Sequence, residues 1–178
     1  MADGIHVLEA WLPTSPTMTN GPGDRNPDKY LAIIRQFDIV GNPRYTPRNG
    51  TTFCNIFLWD VTKAMGAEIP HWVINGVPDS TRKGKELNAN AVCDWLNTAP
   101  GKNQGWVPCS AGEAVANAKL GCPAIVTWKN PTGIGHVGVV IPSLFPGVRI
   151  AQAGGTNFFD GDVTKGFGTR AVSYFKHS

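Results

Sequence analysis

The spacing of apolar residues changes near residue 120 of this 178-residue chain, and that change constrains the fold most. Before it, apolar residues recur at helical spacing. After it, short runs rich in valine and isoleucine alternate with Pro/Gly turns. Helices followed by strands favour an α+β fold in which N-terminal helices pack on a C-terminal antiparallel sheet. At about 150 residues per domain, we predict one domain at residues 24–178 behind an irregular arm at residues 1–23.

Four helices are predicted before the change in spacing, from apolar periodicity and from the residue types at their ends. Asn26 and Ser110 are the N-caps that open the first and last of them. The second helix is the most apolar and we expect it to be central, with Thr51 or Thr52 as N-cap and Gly66 at its end. The predicted helices span residues 26–38, 51–66, 88–97 and 110–120.

Four strands are predicted after the change in spacing, each a short β-branched run bounded by turn residues. Residues 67–87 lie before it and are predicted to be a long loop, because they contain Pro and Gly and no clear periodicity. The predicted strands span residues 123–128, 136–141, 148–153 and 171–176.

Composition and charge exclude several classes of protein. With 42% apolar and 16% charged residues the chain is predicted to fold, and it lacks the run of about 18 apolar residues that membrane insertion needs. A net charge of +3 without a basic cluster argues against a nucleic-acid partner. The four cysteines form no C-x-x-C pair, so no metal site is predicted. We expect a monomer made without a signal peptide.

Cys54 is the first candidate for a catalytic group. It lies in the first turn of the apolar helix, where unpaired N–H groups and the helix dipole are expected to lower the pKa of its thiol. The same N–H groups can hold an oxyanion. Free cysteine is also among the most often buried residue types, so a purely structural Cys54 is an equally weighted interpretation at this point.

His136 and Gln152 are the candidates for the base and the residue that orients it, since a cysteine nucleophile needs both. If residue 142 pairs with residue 148, Gln152 lies on the same sheet face as His136, and its amide oxygen can accept the imidazole N–H. A slip of one residue in the register would undo this arrangement. Asn157 is the reserve candidate. A surface histidine and a half-buried strand glutamine are the structural alternatives.

The chain resembles the papain-like NlpC-type and CHAP-type cysteine peptidases and amidases, a group of cell-wall hydrolases that includes amidase effectors and phage endolysins. The resemblance covers roughly residues 50–158. It rests on Thr-Phe-Cys54-Asn and on Gly135-His136-Val-Gly-Val-Val. The family often has Asp-Cys-Ser-Gly where this chain has Phe53-Cys54-Asn-Ile.

The resemblance implies a papain-like fold and hydrolysis of an amide bond in peptidoglycan, without a cofactor. Cys54 would be the nucleophile, His136 the base and Gln152 the third residue. The backbone N–H of Cys54 would form the oxyanion hole, for which Asn55 and Asn157 are auxiliary candidates. The segment between nucleophile and base would flank a substrate groove, where the candidate binding residues are Trp72, Asn90, Trp95 and Trp106.

Two other functions remain open from the sequence. One is an acyltransferase or a protein-directed amidase on the same scaffold. The other is a non-enzymatic module that binds cell wall or glycan through its six tryptophans. For the hydrolase, the expected partner is peptidoglycan, together with an immunity protein if the protein is a toxin. Such a protein would act at the cell wall after release or secretion.

Overall fold

In the computed structural model, which describes residues 10–178, most of the helices lie before residue 120, and the large sheet takes most of its strands from the residues after it. The helices that lie wholly within these residues are α1 (Pro27–Gln36), α2 (Cys54–Ala64), α3 (Ala89–Leu96), α4 (Ala99–Asn103), α5 (Ala111–Lys119) and α6 (Val163–Phe167), with a 3₁₀ turn at Pro43–Tyr45. The strands are β1 (Trp72–Ile74), β2 (Val77–Pro78), β3 (Lys85–Glu86), β4 (Val107–Cys109), β5 (Ala124–Trp128), β6 (His136–Val140), β7 (Arg149–Gln152), β8 (Phe158–Asp162) and β9 (Ser173–Lys176).

A six-stranded antiparallel sheet carries the C-terminal half of the fold, in the order β4-β9-β5-β6-β7-β8. Strand β6 pairs with β7 through Val139 and Ala151 and through Val140 and Ile150. This is the predicted register, because continuing it past residue 140 pairs 142 with 148. The fold therefore mixes helices and strands as predicted, with the sheet antiparallel.

Helix α2 is the central helix of the fold. Nine of its eleven residues are buried, and it packs against α1, α3 and the strands β6 and β7. It ends at Ala64 because Gly66 adopts a left-handed backbone with φ +63°, as the sequence predicted. Because α2 lies across β6, its first residue, Cys54, comes close to the start of the strand that carries His136.

The first turn of α2 differs from the prediction. Neither Thr51 nor Thr52 is its N-cap; that position is taken by Phe53, which has no side-chain oxygen and makes no capping hydrogen bond. The N–H of Phe57 is the first of the helix to bond a backbone carbonyl, that of Phe53. The backbone N–H groups at the start of α2 thus lack intrahelical partners, which is the condition for binding a negative charge there.

Several regions hold more regular structure than the sequence predicted, among them residues 99–109, which form α4 and β4. Residues 67–87 form a small three-stranded sheet in the order β2-β1-β3, where a loop was expected. Residues 158–167 form the edge strand β8 and the short helix α6. The strands β1–β3 are only two or three residues long, which is too short to show the alternation of apolar and polar residues that identifies a strand. Strand β8 has the sequence FFDGD, which lacks that alternation.

The N-terminal segment packs onto the helices. No helix or strand occurs between residues 13 and 26, and Asn20 within this segment is fully buried. The Asn20 side chain donates to the carbonyl of Gly121 at 2.9 Å, and its backbone N–H donates to that of Ala64 at 3.0 Å. The division into an arm and a domain stays a prediction, and residues 1–9 of the arm lie outside the described residues.

Candidate active site

Cys54 is the first residue of α2 and is 3% exposed. The backbone N–H of Val137 and the side chain of Thr52 lie near the sulfur and favour its thiolate. The backbone N–H groups of Cys54 and Asn55 lie close enough to the sulfur to stabilise its thiolate as well. Since Val137 follows His136 in β6, the thiol lies beside the strand position that carries the candidate base.

The expected lowering of the Cys54 thiol pKa is not found. Burial raises the pKa of this thiol, because the charged thiolate loses its hydration, and the surrounding N–H groups only partly oppose that effect. The positive end of α2 is present, but the desolvation is larger. Cys54 is therefore a neutral thiol in the resting protein and needs a base to become a nucleophile.

His136 and Gln152 are joined by a hydrogen bond of 2.5 Å between Nε2 of the imidazole and Oε1 of the amide. Gln152 is 4% exposed, and its amide nitrogen donates to the carbonyl of Thr156 at 3.2 Å, which fixes the orientation of the amide. Because the amide oxygen can only accept, Nε2 carries the ring proton. Nδ1 is then the basic nitrogen of the neutral imidazole.

The imidazole of His136 is biased towards its neutral form. Burial lowers the pKa of His136, the positive charge of Arg170 lowers it further, and the hydrogen bond to Gln152 acts in the opposite direction. The ring also packs against Phe167, with 4.8 Å between the ring centroids. A neutral imidazole near pH 7 is the form that can accept a proton from a thiol.

A cavity of about 220 Å³ opens onto the side chains of His136 and Gln152. Thr52, whose side chain lies near the Cys54 thiol, lines the cavity together with His136 and Gln152. Aromatic and glycine residues make up most of the remaining wall, and Arg170 is its one permanently charged side chain. Besides Thr52, His136, Gln152 and Arg170, the lining consists of Trp128, Ile134, Gly135, Gly154, Gly155, Gly166 and Phe167.

Two glycines leave the space that the amide group of Gln152 occupies. A Cβ atom on Gly166 of α6 would lie 2.2 Å from Oε1 of Gln152, the atom that bonds His136. A Cβ atom on Gly154 would lie 3.0 Å from the amide nitrogen of Gln152 and 3.2 Å from Cε1 of His136. A side chain at residue 166 would therefore displace the amide oxygen that bonds His136, and a side chain at residue 154 would crowd both the amide and the imidazole.

Neither auxiliary candidate takes the expected place. The Asn55 amide nitrogen donates to the Leu87 carbonyl at 3.1 Å, with Nδ1 of His71 3.4 Å away, so only the backbone of Asn55 faces the thiol. The Asn157 amide nitrogen donates to the carbonyls of Ile39 and Tyr45, both at 2.9 Å. Asn157 ties a loop to the helical layer and makes no hydrogen bond to His136, so the reserve candidate does not replace Gln152 beside the imidazole.

The four residues expected beside a substrate groove have structural contacts instead. Trp95 is 4% exposed, and Trp106 is fully buried against His177, so neither can contact a substrate. The amide of Asn90 bonds the backbone of residues 130 and 133 and thereby holds the loop before His136. Trp72 is half-buried and lines a second cavity, beside His71, that shares no lining residue with the first.

Several residues of the site were not predicted from the sequence. Thr52 was considered only as a helix cap, and nothing in the sequence distinguishes Phe167 or Arg170, which a short unpredicted helix brings to the cavity. The glycine pair Gly154-Gly155, directly after the Gln152 strand, was the one available signal that another group approaches closely there.

Comparison with known proteins adds no assignment: no family model matches the chain, and no curated protein matches it. Among the described residues, no group of three or more His, Cys, Asp or Glu side chains could hold a metal ion. Nor does any helix within residues 10–178 have the length and apolar character needed to cross a membrane.

Proposed function

We propose that this protein is a papain-like cysteine hydrolase that cleaves an amide bond in peptidoglycan, as a stem-peptide endopeptidase or an N-acetylmuramoyl-L-alanine amidase. One observation carries the proposal. A buried thiol at the uncapped start of α2 lies beside β6, and the first residue of β6, His136, is held by Gln152 at 2.5 Å. Nucleophile, base and orienting group are the three parts that such a reaction requires.

In the proposed reaction, Nδ1 of His136 takes the thiol proton as Sγ of Cys54 attacks the carbonyl carbon of the substrate amide. The negative charge on the tetrahedral oxygen is held by the free N–H groups at the start of α2. The imidazolium then gives its proton to the leaving amine, and the C–N bond breaks to leave a thioester on Cys54. Water, deprotonated by His136, attacks the thioester and releases the carboxylic acid and the thiol.

Peptidoglycan as the substrate rests on the resemblance carried by Thr-Phe-Cys54-Asn and Gly135-His136-Val-Gly-Val-Val. The net charge of +3 suits an anionic cell-wall surface but is too small to identify one. An acyltransferase would use the same thioester and pass the acyl group to an amine instead of water.

The test is mass spectrometry of purified muropeptides after digestion, which identifies both the cleavage and the bond. We expect cleavage by the natural protein and none by Cys54→Ala, because Cys54 is the thiol at the free N–H groups that start α2. Cys93→Ala is the matched control, since Cys93 is also buried. Cleavage that survives in Cys54→Ala, or no cleavage by the natural protein, would contradict the proposal.

A further inference from the structure

Arg170 stands out among the residues around the cavity because it brings a full positive charge to a wall that is otherwise uncharged. It lies between α6 and β9 and is exposed to solvent. None of the residues that line this cavity is acidic. A charge of one sign on such a wall attracts a ligand group of the opposite sign.

The guanidinium group of Arg170 is held in place by two neighbours. Its Nη1 donates to the carbonyl of Phe167 at 3.0 Å. Its central carbon lies 4.6 Å from the ring centroid of Trp128, a cation–π contact that fixes the plane of the group against the cavity wall. Fixing the group in advance reduces the entropy lost when it binds a ligand.

The donors of this guanidinium are mostly unused. An arginine side chain has five N–H bonds, and the contact to Phe167 is the one hydrogen bond that the Arg170 side chain makes within residues 10–178. No carboxylate in that part of the chain forms an ion pair with it either. The planar fork of an arginine matches the two oxygens of a carboxylate better than any other common ligand group except phosphate.

We propose that Arg170 selects substrates that carry a free carboxylate next to the amide bond to be cleaved. The inference rests on the proposed function, since it concerns what the same cavity binds. Arg170 is a binding residue in this scheme and takes no part in proton transfer. A stem peptide whose neighbouring carboxyl group is amidated would bind in the same place without the charge-assisted contact.

Binding of the carboxylate would also prepare the base. The positive charge of Arg170 lowers the pKa of His136, so a bound carboxylate that offsets this charge raises that pKa again. The other ionisable group at the site is the Cys54 thiol, which is neutral; Gln152, Phe167 and Trp128 carry no charge. A substrate with the free carboxylate therefore meets a more basic imidazole than its amidated form does.

The experiment measures binding, so that it does not depend on catalysis. Two muropeptides that differ only in a free or amidated glutamyl α-carboxyl group are titrated calorimetrically into the Cys54→Ala protein. We expect the free acid to bind about tenfold more tightly, the scale of a charge-assisted hydrogen bond at an exposed site. Arg170→Gln should reduce the ratio to about one, and Arg170→Lys should keep part of it.

Arg82→Gln is the matched control, because Arg82 lines the other cavity and should leave the ratio unchanged. Thermal unfolding of each variant tests whether Arg170→Gln is folded. A ratio near one with Arg170 present, an unchanged ratio in Arg170→Gln, or no binding of either peptide would overturn the inference. If the natural protein hydrolyses neither peptide while the binding preference holds, the proposed hydrolysis fails and the role of Arg170 stands.

Discussion

His136 keeps its proton on the nitrogen that faces Gln152, and this leaves Nδ1 as the nitrogen that can act as a base. The thiol of Cys54 is neutral because its burial outweighs the N–H groups around it. The resting site therefore holds a neutral thiol and a neutral imidazole. In the proposed reaction the thiol needs a base before it can attack, so loss of that base should be costly.

The variant His136→Ala removes the proposed base. His136→Ala should lower the rate of muropeptide hydrolysis by about a hundredfold or more, the usual scale of general acid–base catalysis. His71→Ala, which changes a histidine of the other cavity, is the control and should retain activity. The reverse result, an active His136→Ala beside an inactive His71→Ala, would place the base elsewhere.

Changes at Gln152 should alter the pH dependence as well as the rate. Gln152→Ala should slow hydrolysis by about tenfold to a thousandfold, because the ring loses its orientation while the thiol stays in place. Gln152→Glu should keep much of the activity, since a carboxylate also accepts the imidazole N–H. It should raise the pKa of His136, because it stabilises the imidazolium.

The measurement for Gln152 is the pH–rate profile. The acid limb reports protonation of the base, so a higher His136 pKa moves that limb to higher pH in Gln152→Glu. A profile that does not move would mean that residue 152 does not contact the base during catalysis.

The contact between His136 and Gln152 could be predicted from the sequence because it depends on local chain geometry. The short turn between β6 and β7 sets which residues pair, and the alternation of faces along a strand then sets which side chains meet. Trp95 and Trp106 could not be placed in the same way. Whether a tryptophan is buried depends on the packing of distant segments, which neither spacing nor composition reveals.

At the scale of elements, α6 acts as the support behind Gln152. Its residue Gly166 lies so close to Oε1 of Gln152 that a methyl group there must displace the amide. Phe167 of the same helix packs against the His136 ring. A five-residue helix outside the predicted elements thus positions two of the three catalytic candidates.

Gly166→Ala should therefore reduce activity by about tenfold to a thousandfold, comparable to the loss in Gln152→Ala. Gly112→Ala in α5 is the control: a Cβ atom there meets nothing within 4 Å, so it should leave the activity unchanged. It should stabilise the protein slightly, since alanine suits a helix better than glycine. Hydrolysis rates and thermal unfolding check both variants, and a fully active Gly166→Ala would remove the positioning role.

The helices were largely predictable because their ends carry short-range signals. Asn26 accepts hydrogen bonds from the N–H groups of residues 28 and 29, and Ser110 with Glu113 forms the capping box expected of them. Strand β8 and the small sheet β1–β3 were not predictable. Their residues are ordered by contacts with other segments, which outweigh weak local preferences.

At the scale of the molecule, the second cavity bears on stability. His71 is 1% exposed and lies between Trp59 and Trp72, with ring centroids at 5.3 and 5.0 Å. Burial, and secondly the charge of Arg44, lowers the pKa of His71 to about 4. The unfolded chain binds a proton at this residue below about pH 6.5 and the folded protein does not, so acid favours unfolding there.

Between pH 6.5 and pH 5 we expect protonation of His71 in the unfolded chain to lower the unfolding free energy by about 1.6 kcal/mol, because the slope rises towards about 1.4 kcal/mol per pH unit below pH 6.5. Denaturant unfolding at the two pH values measures this loss. His71→Gln cannot titrate, so its loss over the same interval should be smaller by that amount, even if the variant is less stable overall. Equal losses in the two proteins would show that His71 is protonated in the folded state.

The place of β9 in the large sheet has a consequence for the order in which a newly made chain can mature. Residues 173–176 pair on one side with β4 and on the other with β5, so they lie inside the sheet although they are translated after every other strand. While these residues are still within the ribosome, β5 lacks its outer neighbour and β4 has none. Synthesis past residue 176 therefore precedes assembly of the complete sheet, which delays completion of the sheet that carries the candidate site until β9 is available.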